Sequence, residues 1–195
     1  MNLLDLLQNG ILGLSGWGKV LVTLVAMQIS LMATTLYLHR DQAHRAIDLH
    51  PALRHFFRFW MWLTSGMVTR EWVAVHRKHH ALCEKVGDPH SPVVFGLKKV
   101  LLEGAELYRV DARNPDVVAK YSRGTPDDWL ERKFYLPHTT LGIYSLLVLN
   151  VLLFGVIGIT IFAIQMAAMP ILSAGIINGL GHARGYRNFE SDDAA

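Results

Sequence analysis

A single cysteine, Cys83, stands in 195 residues, which excludes an intrachain disulfide, a cysteine cluster site and a CxxCH haem attachment. Charge is also scarce: 18% of the residues are charged against 51% hydrophobic, a balance that leans toward a membrane protein. From Thr139 to Gly181 there is no Asp, Glu, Lys, Arg or His at all. A bilayer core of ~30 Å takes about 20 helical residues, so this run is too long for one helix and has room for two spans, expected at 139–158 and 161–181. Flavin and nicotinamide fingerprints, internal repeats and low-complexity tracts are absent as well. Strand-like runs occur only inside the expected spans.

A second apolar run, Trp17 to Leu38, carries only Lys19 and is expected to span once, over 17–38. It has no basic region ahead of it and no clear cleavage site, unlike a secretory signal. The stretch "LLDLLQNGILGL" before it reads as an interfacial segment or a shortened span. Of the 19 Lys and Arg, 16 fall between residues 39 and 138, which by the positive-inside tendency makes 39–138 a cytoplasmic segment. All ten histidines then lie on the cytoplasmic side. The net charge of +3 follows from this topology, and without basic and aromatic interleaving no nucleic-acid partner is expected. The fold class expected is all-α: an integral membrane protein of one domain, residues 1–195, with about three spans and a cytoplasmic helical segment. Within that segment "ALRHFFRFWMWLTSGMV", from Ala52, is expected to lie along the membrane surface. "RGTPDDW" reads as a loop and a helix start capped by Thr125 or Asp127.

The chemistry sits in histidines. In "HRKHH" His76, His79 and His80 stand at i, i+3 and i+4, spacings that share a helical face, and converging neutral imidazoles suit a transition metal such as iron, zinc, copper or nickel. In "LHRDQAH" His39 and His44 are five residues apart, so a shared site requires the helix to end or bend between them. In "NGLGHARGYRNFE" Asn178 and His182 are four apart at the end of the last span, a costly position unless both find partners. There is no HExxH for a zinc protease, and the Glu and ExxH pairs of soluble di-iron bundles are missing. A metal transporter fits poorly, because the long apolar run holds no ionisable group.

Taken together, "HRDQAH", "HRKHH" followed by "DPHSP", and "NGLGHARGYRNFE" around a long apolar hairpin resemble the membrane-bound fatty acyl desaturases, most closely the bacterial acyl-CoA desaturases of the stearoyl-CoA type. The resemblance covers about Leu38 to Glu190. It implies two iron ions and an O2-dependent reaction that places a cis double bond in a long-chain acyl group, typically at the ninth carbon. It also implies that His39, His44, His76, His79, His80 and His182 are metal ligands, that Asn178 holds an iron-bound water and that Trp72 lines the acyl tunnel. No catalytic side chain beyond the metal ligands is expected. The chemistry agrees, since taking hydrogen from an unactivated methylene calls for an oxygen-activating metal rather than side-chain acids and bases. O2 takes four electrons and the acyl chain gives two, so an external donor is implied, cytochrome b5-like or ferredoxin-like, with an NAD(P)H reductase behind it. The implied location is the bacterial inner membrane, in contact with its lipid.

The family's third histidine cluster lies beyond the "GYR" segment, and this sequence stops at "ESDDAA". The reading is therefore of a desaturase domain cut short before that box, inactive unless the missing ligands are supplied. Ala74 and Val75 stand where animal relatives carry charged residues that touch the CoA headgroup, which leaves acyl-CoA, a carrier protein or a phospholipid open as acyl carrier. His50, His55, His90 and His138 are expected to be interfacial or loop histidines. A related hydroxylase and a non-catalytic membrane partner protein are the alternatives.

Overall fold

Prolines and short polar caps mark where the helices begin. In the computed structural model, which describes residues 2–183, Asn114 caps the amides of Asp116 and Val117 with Pro115 in the first turn, and Ser91 does the same ahead of Pro92. Such caps satisfy amides that no helix can bond internally. The chain is all-α: every regular element among the described residues is a helix. In order these are α1 (Leu3–Asn9), α2 (Gly16–Met32), α3 (Pro51–Ser65), α4 (Thr69–Ala81), α5 (Pro92–Phe95), α6 (Leu97–Ala112), α7 (Pro115–Tyr121), α8 (Thr139–Phe154), α9 (Ile157–Met169) and α10 (Gly181–Ala183). Three stretches are wound more widely, as π-helix: Ala33–Ala43, Glu131–Tyr135 and Pro170–Leu180.

Among the described residues, two helices are long and apolar enough to cross a membrane: Gly16–Ala43, of 28 residues, and Ile157–Ala183, of 27. Between them in sequence, α8 has 16 residues and is about 24 Å long, short of a ~30 Å hydrocarbon core. Gly155, at φ 74, ends it and opens the turn into α9. Leu21, Leu24, Val148, Ile159 and Ile164 on these helices are exposed, as lipid-facing side chains would be. Thr23, Ser30 and Thr34 turn their hydroxyls onto carbonyls four residues back, which hides polar groups inside the apolar helix. Asn150 donates to the Gln165 side chain at 3.0 Å across the α8–α9 hairpin.

The chain divides into two compact units. The first comprises Met1–Tyr37, Ile47–Val68 and Asp127–Ala168. Here α3 packs on α8, and a Cβ on Gly142 would come within 2.3 Å of the Trp62 carbonyl, so only glycine permits that approach. Trp62, Leu63, Tyr135 and Leu146 form the core beside them. Arg58, also buried, fans out to Asp128 at 2.7 and 2.8 Å and to Glu131 at 2.9 Å through Nε. The helix start in "RGTPDDW" is capped by neither Thr125 nor Asp127: Asp128 accepts the Glu131 amide at 2.9 Å, while Thr125 turns its hydroxyl back to the Ser122 carbonyl. Asp128 wins because one carboxylate serves both the amide and the Arg58 fork.

The Arg58 hydrogen bond holds the Asp128 carboxyl down to about 2, below its ordinary 3.8. Between those values the unfolded chain binds more protons than the folded one, so acid destabilises the fold. The stabilisation that Asp128 provides should be complete above about pH 4 and lost as the pH falls through about 2. Thermal unfolding of the wild type and of Asp128→Asn across this range should show their difference shrinking with acid.

The second unit comprises Leu38–Ala46, Thr69–Pro126 and the chain from Met169 onward. Helix α6 lies against Pro170–Leu180 where small residues permit it: a Cβ on Gly104 would stand 2.9 Å from that of Ala174, and one on Gly175 3.2 Å from Leu101. Lys78 of α4 and Asp111 of α6 form a largely buried ion pair at 2.7 and 2.9 Å. Lys78→Ala leaves the Asp111 carboxylate buried and alone, which costs about 3 kcal/mol. The thermal midpoint should fall by roughly 10 °C, and a loss below 2 °C would assign the pair to a solvated surface.

Candidate metal centre

Two segments of the second unit bring the first group of imidazoles together. On α4, His76 and His80 are one turn apart and face the same way. On Ala33–Ala43 the π-winding closes hydrogen bonds five residues apart, and the His44 amide reaches the His39 carbonyl at 3.0 Å. The five-residue spacing that would diverge on an α-helix thus returns to one face. The His39 and His44 rings lie 4.5 Å apart. This is the bend the sequence requires, achieved by winding rather than by ending the helix, and π-turns of this kind recur at functional sites.

Arg77 fixes the segment. Its guanidinium donates to the carbonyls of Gln42 (2.9 Å), Ala43 (3.0 Å), Tyr121 (3.1 Å) and Arg123 (2.7 Å), so one rigid fork ties the end of the π-stretch to the loop after α7. Arg45, at φ 53, makes the turn that follows. It donates to the Gly124 carbonyl at 3.3 Å, and Gly124 has no Cβ to meet that guanidinium.

His39, His44, His76 and His80 each offer a ring nitrogen, all within 4.8 Å of one another. His76 is the hub, its Nε2 lying 3.1 Å from that of His44 and 3.0 Å from that of His80. One shared proton satisfies one such pair, not three converging nitrogens. A metal with bonds of about 2.1 Å to imidazole sets ligands at right angles ~3 Å apart, so these separations fit a metal. Burial, with His80, His39 and His44 adding to it, pushes the His76 imidazole down to about 2, which leaves it neutral and able to bind. Trp72 stacks on His76 at 4.7 Å and 16°.

His79, at i+3 from His76, points round the helix to a second group. Its ring is buried, 5.0 Å from that of His182, and Cys83 joins these two within ligand distance. The Asp88 carboxylate accepts from His79 Nδ1 at 2.9 and 3.0 Å and also from the amides of Glu84 (2.9 Å) and His90 (3.1 Å). Burial acts to raise the Asp88 carboxyl, but these hydrogen bonds outweigh it and hold the group below the usual carboxylate range. An ionised carboxylate only accepts, so the His79 Nδ1 facing it carries a proton. Carboxylate support of this kind is what orients histidine ligands at metal sites. His79 Nε2 is buried without a hydrogen-bond partner, as a nitrogen reserved for a metal would be.

All six expected histidines therefore lie in two adjoining groups. Asn178 sits half-buried on Pro170–Leu180, and among the described residues its amide makes no hydrogen bond. "GYR", residues 185–187, lies outside the described residues. His50, His55 and His138 are exposed, in keeping with a surface role. His90 lies in the turn between α4 and α5, as a loop histidine would, but it is buried rather than at the surface, with its ring 4.4 Å from that of His79. Asp88 and His90 were both present in "DPHSP", and the short return from His80 was the signal that keeps them near the end of α4.

Among known proteins, the chain is similar to Delta-9 acyl-lipid desaturase 1 of Arabidopsis thaliana, 28% identical over 92% of this chain and 58% of the relative. Delta-9 acyl-lipid desaturase 2 of the same plant is 26% identical over 92% of this chain and 57% of its own length. An acyl-CoA C20 Delta5-desaturase of Anemone leveillei is 35% identical over a shorter segment, 31% of this chain and 19% of the relative. The chain spans a little under three-fifths of the length of the two Arabidopsis proteins. No protein-family model matches it, and no solved structure does. The similarities support a fatty acid desaturase family for the chain.

Proposed function

We propose that this chain carries the metal-binding part of an O2-dependent di-iron fatty acyl desaturase, which places a cis double bond in a long-chain acyl group for unsaturated fatty acid biosynthesis. The observation that carries the reading is the convergence of His39, His44, His76 and His80 beside a carboxylate-supported His79, in a chain similar to desaturases over nine-tenths of its length. Iron bound there would supply the activation of O2 that an unactivated methylene needs. His39, His44, His76 and His80 hold the first iron. His79 and His182 hold the second, with Asp88 keeping the His79 Nδ1 proton in place. Asn178 positions a water, and Trp72, stacked on His76, borders the path of the acyl chain.

The reaction balances as one CH2–CH2 unit, O2, two electrons and two protons giving one CH=CH unit and two water molecules. Two electrons come from the substrate and two from outside. A cytochrome b5-like or ferredoxin-like protein, reduced by an NAD(P)H reductase, is the donor we assign. The site works at the surface of a lipid bilayer, on the cytoplasmic side of a bacterial inner membrane. The acyl group is carried on CoA, as in the stearoyl-CoA desaturases that the sequence resembles.

The test is membrane expression of this chain joined to the C-terminal part of a desaturase relative, which supplies the third histidine box, with a donor and its reductase, a labelled stearoyl-CoA substrate, and gas chromatography of the fatty acid methyl esters. A cis monoene that depends on O2 and on the donor is the expected product. A hydroxylated acyl chain would move the reading to a hydroxylase, desaturation of phospholipid-bound chains alone would replace CoA as carrier, and no product at all would favour a non-catalytic membrane protein.

A further inference from the structure

His90 is a histidine to which the desaturase resemblance gives no role, yet it is among the more deeply buried imidazoles in the chain, with 6% of the residue exposed. Its Nε2 has no hydrogen-bond partner, and neither does Nε2 of His79, although the two rings are only 4.4 Å apart. Buried ring nitrogens are normally paired with protein or water. Two unpaired ones on adjacent rings point to a shared partner that accepts from both lone pairs, and a cation is that partner.

The surroundings are built for this. The His90 amide donates to the Asp88 carboxylate that holds His79 Nδ1, so one carboxylate fixes both the His79 ring and the backbone that carries His90. Pro89, between them, restricts the turn. One ligand atom from each of His79, Asp88 and His90 lies within 4.8 Å of the others, and His79 also belongs to a group with Cys83 and His182. We infer that His90 is a ligand of the second metal, together with His79. The inference rests on the two-metal reading above. It raises the imidazoles available among the described residues from six to seven.

A ring that merely packs on His79 would be replaceable by phenylalanine, and that separates the two roles. The purified full chain in lipid nanodiscs is loaded anaerobically with Fe(II), desalted, and its iron counted per chain, with the number of imidazole ligands read by X-ray absorption. The wild type should hold two irons. His90→Phe should fall to about one, with the iron of the four-imidazole group retained as proof of folding. In a second variant, His90→Cys loaded with Co(II), a thiolate ligand at position 90 should add a charge-transfer absorption to the wild-type spectrum. This decides the matter even if the phenylalanine variant fails to fold. A wild type with two irons, a His90→Phe that keeps both and a His90→Cys spectrum unchanged from wild type would overturn the assignment of His90. A wild type that takes up fewer than two irons would overturn the two-metal reading itself.

Discussion

Replacing His76 with alanine is expected to empty the first metal position and, in the chain completed with the third histidine box, to reduce the proposed desaturation by at least ~100-fold. His76 has the largest effect because it is the hub: its Nε2 approaches both His44 and His80 within 3.1 Å, and Trp72 stacks on its face. Removing it takes a ligand from a group of four and also the nitrogen that His44 and His80 both approach. Iron should drop from two per chain to about one, measured on protein prepared and desalted as for the wild type. Folding should survive, because the Lys78–Asp111 pair and the Arg77 fork are untouched. Full iron content with full activity in this variant would mean that the four imidazoles are not a metal site.

The second large effect is expected at Asp88, which touches no metal in this reading. Asp88→Asn retains shape but replaces a carboxylate that accepts from His79 Nδ1 and two amides with an amide whose NH2 cannot accept. One of the three donors loses its acceptor, and His79 loses the charge that raises its basicity. Metal affinity at the second position should fall ~10–100-fold, while the first position binds as before. Competition with a calibrated chelator resolves the two sites. Equal weakening at both would indicate that Asp88 supports the end of α4 as a whole rather than one imidazole.

How much of this was legible in residues alone differs from element to element. The apolar runs announced the long helices, since freedom from charge over such lengths is a local property. The α4 triplet was legible too, because i, i+3 and i+4 fall on one face of any α-helix. It could not show that the face divides, with His76 and His80 serving one group and His79 another. That division depends on what stands opposite, which is the His39–His44 segment on one side and the Asp88 loop on the other. The cap before Glu131 was misplaced by one or three residues because three polar candidates crowd "TPDD", and it was Arg58, distant in sequence, that selected Asp128.

The sequence by itself determined an all-helical chain with long apolar runs, which it divides into about three spans, and placed six histidines near the ends of its hydrophobic segments. It did so through hydrophobicity and helical period, which act between near neighbours. Only the tertiary structure decided that Ala33–Ala43 winds as a π-helix, so that His39 and His44 share a face. It alone turned Asp88 onto His79 and buried His90 beside them. Those outcomes depend on contacts between residues far apart in the chain, such as the Arg77 fork across Gln42, Ala43, Tyr121 and Arg123. A spacing along the sequence carries no information about a partner that only folding brings near.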